Sequence, residues 1–203
     1  MPVEPTTTGV TRTADGRAIR GPALGLDALP RPAHGTPWRI CFVCTGNICR
    51  PPMAEVAARS MAAATTLADG TALGDHVIFT SGGTGPWHEG EPMDPRTGAA
   101  LRRAGYPDHP HVAHQVSARR LGAVHLIVAL DRSHQRTLRG LGAPADRVVL
   151  LRAFDPASGA ADDVPDPYYG AEKEFDDCLA LIAQGCRGLV AVLGARWDEV
   201  LSP

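Results

Sequence analysis

The sequence predicts an α/β fold, a three-layer sandwich with a central four-stranded parallel sheet flanked by helices. Two observations carry this. Short apolar runs, "WRICFVC", "HVIFTSGG", "VHLIVAL" and "DRVVLLRAF", alternate along the chain with segments of helical character. The runs are apolar on both faces, as strands covered above and below by helices are.

Residues 1–36 are rich in Pro, Gly, Thr and Ala without sustained periodicity and read as a disordered extension. A short docked helix around Leu24 to Leu29 is the alternative there. Residues 37–203 read as one domain. After the first run, "PPMAEVAARSMAAATTLA" reads as a helix, with Pro51 tolerated in its first turn, where the missing N–H has no intrahelical partner anyway. The second run ends in glycines. "DPRTGAALRRAG" reads as a helix from the N-cap Asp94 to a stop at Gly105. Asp131 caps "RSHQRTLRGLG" after the third run. A long loop, "DPASGAADDVPDPYYG", joins the fourth run to a last helix. On that helix Phe175, Cys178, Ile182, Cys186, Leu189 and Leu193 recur at steps of three or four.

The bulk numbers exclude several classes. With 203 residues the chain can bury a core without disulfide support. Twenty basic and 22 acidic residues leave a net charge of −2, which gives nucleic acid or an anionic membrane no electrostatic hold. No apolar run reaches the roughly 18 residues of a membrane span. The N-terminus lacks the basic-then-apolar pattern of a secretory signal. Five cysteines, an odd number, argue against a disulfide scaffold and for a reduced, cytoplasmic setting.

In open parallel sheets ligands bind beyond the carboxyl ends of the strands. Cys44 ends the first run, and "CTGNICR" follows from it into a helix start. Gly46 can take positive φ freely, and Asn47 tolerates it better than most residues. Such a loop, spanning Thr45, Gly46, Asn47, Ile48 and Cys49, can turn several N–H groups inward and form an anion cup at a helix N-terminus. Arg50 would offer a planar fork to two phosphate oxygens. Cys44, in that positive field, would have a lowered pKa and act as a nucleophile toward phosphorus. Taken alone, the Cys-to-Arg spacing also arises by chance, and a cysteine at a strand end is also simply small and apolar.

Expelling an alkoxide or phenoxide benefits from a general acid. Asp166, held between two prolines in "DVPDPYYG", is the candidate. Tyr168 and Tyr169 beside it offer aromatic faces suited to a phenyl ring. A proline-rich turn with surface tyrosines is the plainer reading of the same segment.

Together these segments resemble the low-molecular-weight protein tyrosine phosphatases, and within them the actinobacterial branch. The resemblance runs from about Trp38 to the end of the chain. It is carried by "VCTGNICR", "SGGTGPWHEGEPMDPRT", "HVAHQ", "VALDRSH" and "DPYYG", in the family's order. It implies hydrolysis of phosphotyrosine in proteins through a cysteinyl-phosphate, with Cys44 as nucleophile, Arg50 as phosphate clamp and Asp166 as general acid and then base. It implies no metal and no organic cofactor, and a tyrosine kinase acting on Tyr168 or Tyr169 as a further partner. It makes Asn47 the residue that holds the strained turn, with Ser81 and His111 hydrogen-bonded to it, and Trp87 and His88 a wall of the substrate cleft. Asp131 matches a family aspartate too, but helix capping accounts for it. Cys49 becomes a redox partner able to capture an oxidised Cys44. Cys41, Cys178 and Cys186 read as core filling.

The sequence departs from the family at Pro51, where a Ser or Thr hydroxyl normally bonds the nucleophilic sulfur. A slowed enzyme is therefore expected, with a phosphotyrosine-binding module of weak turnover as the alternative. Arsenate reduction on the same fold is the remote competitor. It needs further cysteines to carry a disulfide outward, and Cys178 and Cys186 would stand about 12 Å apart on one helix.

Overall fold

A computed structural model describes residues 36–158 and 163–201, together with two short strands, β1 (Val10–Arg12) and β2 (Ala18–Arg20), which pair antiparallel. The sequence reading has no counterpart for this ribbon, and the Leu24–Leu29 segment lies outside the described residues. The core elements are β3 (Trp38–Cys44), α1 (Arg50–Ala63), β4 (Val77–Gly83), α2 (Pro95–Arg103), α3 (Ala118–Gly122), β5 (Leu126–Ala129), α4 (Arg132–Gly140), β6 (Val148–Leu150) and α5 (Glu172–Leu201).

The expected α/β sandwich is the fold. β3 to β6 form one parallel sheet in the order β4-β3-β5-β6, so the chain moves outward from β3 in both directions. The apolar character of both strand faces has a direct structural use. Ile40, Phe42, Leu126 and Val128 join the core under α1 and α5, while Cys41, Val43, Ile127 and Ala129 join the opposite core, which holds Leu121 and Leu138 from α3 and α4. Alternate residues of one strand thus serve two layers.

Asp94 and Asp131 cap α2 and α4 as expected, accepting from the N–H groups of Arg96 and His134. The fourth run is shorter as a strand than "DRVVLLRAF" suggests. Only Val148–Leu150 pairs, and Leu151–Phe154 turns into a 3₁₀ segment. The cause lies on α5. A Cβ at Gly188 would fall 1.9 Å from the Phe154 carbonyl oxygen, and one at Gly185 would fall 2.7 Å from the Leu151 side chain. The missing side chains let the 3₁₀ turn press directly onto the helix, which a continued strand could not do.

α5 also qualifies the expectation about membrane spans. Its segment Glu172–Trp197 is long and apolar enough, by length and composition, to cross a bilayer. Phe175, Cys178, Ile182, Cys186, Leu189 and Leu193 are all buried against the sheet and α1, so the apolar stripe of this helix is spent on the core.

Candidate active site

β3 delivers Cys44 to the carboxyl edge of the sheet, next to the middle of the strand order. The loop that follows turns on Asn47, whose φ of 58° is the single positive value at a non-glycine among the described residues. Gly46, expected to supply such freedom, does something else. A Cβ there would lie 2.8 Å from Cδ2 of His88, so its bare backbone admits the imidazole against the loop.

The loop closes around the Cys44 sulfur. The Asn47 N–H points at Sγ from 3.3 Å, and the carbonyls of Cys44 and Thr45 accept from the N–H groups of Thr84 and Gly85. Complete burial pushes the Cys44 thiol up from its ordinary pKa. Arg50 and the N–H groups of Asn47 and Gly46 pull it down, and Asp166 pushes it up again. The net direction is upward, opposite to the lowering expected from the loop's positive field, because desolvation outweighs the field.

Pro51 and Pro52 open α1, both buried, so two of the N–H groups a helix start normally presents are missing here. Neither offers a hydroxyl. The cup's donors are therefore the loop amides and Arg50.

Arg50 is almost fully buried and held on two sides. Nη1 donates to Asp131 Oδ2 at 2.9 Å and to the Val164 carbonyl at 3.1 Å, while Nη2 donates to Asp166 Oδ2 at 2.7 Å. Burial disfavours its charge, but Cys44, Asp166 and Asp131 outweigh that and raise its pKa. Asp131 is thus more than a helix cap. Burial would raise its pKa, yet the His134 ring, the Ser133 hydroxyl and the His134 N–H hold it far below the usual carboxylate range. It stays ionised opposite the guanidinium.

The chain reaches Asp166 through Val164, whose N–H donates to the Leu130 carbonyl just past β5. Asp166 itself is half exposed, and its Oδ1 accepts from the Tyr168 N–H. Arg96, on α2, fastens this loop from the other side. It donates to the carbonyls of Tyr168 and Gly170, pairs with Asp94, and stands 4.4 Å over the Phe175 ring. Sequence reasoning missed this role. The one available signal was an arginine directly after the Asp94-Pro95 helix start.

Cys44, Thr45, Gly46, Ile48, Cys49, Arg50, Trp87, His88, Asp166, Tyr168 and Tyr169 line one cleft of ≈ 310 Å³. Its rim is aromatic. Tyr168 lies edge-on to Tyr169 with 4.9 Å between centroids, and His88 lies 6.3 Å from Tyr168. Trp87 is largely exposed, its ring folded over Gly85.

The support beneath the loop departs from expectation in one place. His111 Nε2 meets the Asn47 carbonyl at 2.7 Å, but Ser81 does not reach Asn47. Its hydroxyl donates to Glu55 Oε2 at 2.6 Å. Glu55 is a buried carboxylate, also paired with Arg59 and near His109. A hydroxyl with a choice goes to the charged acceptor, where its bond is stronger. The Asn47 side-chain amide is left buried without a partner among the described residues.

The family model described as Low molecular weight phosphotyrosine protein phosphatase matches residues 39–198. A low molecular weight protein-tyrosine-phosphatase of Streptomyces coelicolor is 46% identical over 161 residues, covering 77% of this chain and 93% of the relative. Low molecular weight protein-tyrosine phosphatase A of Mycobacterium tuberculosis is 50% identical over 154 residues, covering 75% and 90%. The crystal structure of YfkJ from Bacillus subtilis superposes with a TM-score of 0.69 at 34% identity, covering 84% of this chain and all of that one, 100%. A cysteine closed in by its own loop, an arginine against it and this extent of likeness lead to one assignment: the chain belongs to the low molecular weight phosphotyrosine protein phosphatase family.

Proposed function

We propose that this protein hydrolyses phosphotyrosine in protein substrates, by phosphoryl transfer to Cys44 and then to water. The observation that supports this best is the shared contact at Arg50, where the clamp for phosphate and the acid for the leaving group already touch. As a phosphate monoester enters, its oxygens take the loop N–H groups and the Arg50 fork, and Asp166 exchanges that fork for the ester oxygen. The Cys44 thiol gives its proton to Asp166 as that carboxylate leaves the fork, the thiolate attacks phosphorus, the P–O bond to the ring breaks, and Asp166 gives the proton on to the departing phenolate. Asp166 then takes a proton from water, which attacks phosphorus. The P–S bond breaks and the thiolate and inorganic phosphate are released. Throughout, Asp131 and the Val164 carbonyl keep Arg50 in place.

The aromatic rim favours an aryl ester, since a phosphoserine would carry no ring to stack there and would reach less far toward a buried sulfur. We expect slower turnover than a hydroxyl at position 51 would permit. Tyr169 is 96% exposed, which suits our further proposal that a tyrosine kinase modifies this rim. Five unpaired cysteines fit work in a reduced, cytoplasmic setting.

Turnover of p-nitrophenyl phosphate and of a phosphotyrosine peptide by wild type and Cys44→Ser, with arsenate reduction measured beside it, tests this reading. Wild type should hydrolyse both esters, and Cys44→Ser neither. Wild type no faster than Cys44→Ser would instead favour a phosphotyrosine-binding module.

A further inference from the structure

Outside the groups that touch phosphate in this reading, one buried side chain contacts both halves of the anion site. His134, the third residue of α4, is 3% exposed. Its Nε2 meets Thr45 Oγ1 at 2.9 Å, and its Nδ1 lies 2.9 Å from Asp131 Oδ2, in contact but not aligned as a hydrogen bond. That same Oδ2 holds Arg50. We propose that His134 is a positioning residue that ties the first turn of the phosphate loop, through Thr45, to the arginine clamp, through Asp131.

Geometry supports the role from each end. The backbone of Thr45 is held by the bond from the Gly85 N–H to its carbonyl, and its side chain is tied to His134. Arg50 has two carboxylate partners, of which Asp166 is half exposed and has to leave during the proposed reaction, so Asp131 is the permanent one. Asp131 is oriented in turn by the backbone N–H of His134 and the Ser133 hydroxyl on Oδ1, with the imidazole at Oδ2. The Thr45 hydroxyl can both donate and accept, so its bond to Nε2 holds whichever ring nitrogen carries the proton. The imidazole therefore sets the distance between the loop's first amide and the guanidinium. Both must address the same phosphate, and a small misplacement of either weakens the pair.

This inference rests on the loop being a phosphate site, and its test measures binding apart from turnover. Inorganic phosphate is titrated calorimetrically into the full chain as wild type, Thr45→Val, His134→Ala, the double variant and His134→Gln. Thr45→Val should weaken binding about two- to tenfold, the worth of one hydrogen bond. His134→Ala should weaken it further, because Asp131 loses its neighbour as well. The double variant should be no weaker than His134→Ala, since both changes cut one link. His134→Gln, which keeps an amide for Thr45 to meet, should recover part of the loss. Thr45→Val costing as much in the His134→Ala background as in wild type would overturn the proposal. So would a lowered melting temperature with phosphate affinity unchanged. Should His134→Ala fail to fold by circular dichroism, Thr45→Val alone decides, and unaltered affinity counts against the link. A wild type that binds phosphate yet turns over no ester would refute the phosphatase reading and leave this one standing.

Discussion

Replacing Pro51 by serine should accelerate this enzyme. The Cys44 sulfur is faced by loop N–H groups, the Asn47 N–H at 3.3 Å among them, and by no side-chain hydroxyl at position 51, and burial dominates its surroundings. Pro51 stands at the start of α1 with neither hydroxyl nor N–H to offer. A serine hydroxyl donating to the thiolate would add a bond to a charged group, worth roughly 1.5–3 kcal/mol. If all of it reaches the transition state for attack and for release of the thiolate, kcat rises about ten- to a hundredfold. A stability cost runs the other way. Losing the ring's restriction of the unfolded chain costs about 0.4–1 kcal/mol, which in a chain of this size lowers Tm by a few degrees at most. The pH dependence has a definite sign. The thiolate is the reactive form, so activity rises with pH through the thiol pKa, and a stabilised thiolate moves that rise to lower pH. The assay is p-nitrophenyl phosphate hydrolysis from acid to alkaline pH for wild type, Pro51→Ser and Pro51→Ala. Serine should be the fastest, with its acid limb moved to lower pH. An alanine variant as fast as serine would show that the ring, not the missing hydroxyl, limits the wild type. No change in either variant would refute the account of position 51 altogether.

Asp166→Asn should lower kcat about 10²- to 10⁴-fold through loss of the general acid. It should also tighten inorganic phosphate, because Arg50 Nη2 gives up a carboxylate at 2.7 Å that the phosphate must otherwise displace; weaker binding would contradict that competition. Arg96→Ala removes two bonds to the carbonyls of the loop bearing Asp166, so kcat should fall severalfold while phosphate affinity holds. A loss confined to phosphate affinity would place Arg96 elsewhere in the mechanism. Under mild peroxide, Cys44 goes to the sulfenic acid, and Cys49 can displace water from it to form a disulfide that added thiol reopens. Burial first, then Asp94, pushes the Cys49 thiol up to about 12, so capture should quicken as pH rises. Recovery after thiol treatment should be poorer in Cys49→Ser, and equal recovery would remove Cys49 from the process.

Local features of this molecule were legible in the sequence because their causes are local. Strands that serve two cores must be apolar at successive positions, and β3 from Ile40 to Cys44 and all of β5 are, so the layered sheet could be read from runs of a few residues. Cys44 and Arg50 bound a single loop, and a loop's amides converge because of its own dihedral angles, whatever packs around it. Asp166 could be found because two prolines mark it. What stayed hidden depends on competition between distant groups. Whether Gly46 is needed for φ or for space is decided by His88, and in the structure space wins while Asn47 takes the positive φ. Ser81 could bond Asn47 or a carboxylate, and only packing places Glu55 within its reach. Thr45 and His134 are 89 positions apart, and Arg96 and Gly170 are 74, so no spacing rule connects them. Asp131 was the instructive middle case. Its capping of α4 is local and legible in the sequence, yet the same carboxylate's second oxygen faces Arg50 from across the site. A cap orients a carboxylate by one oxygen and leaves the other free to act. When a capped helix starts at the carboxyl edge of a parallel sheet, that other oxygen points toward the place where ligands bind, and the cap should be counted as part of the site until a structure removes it.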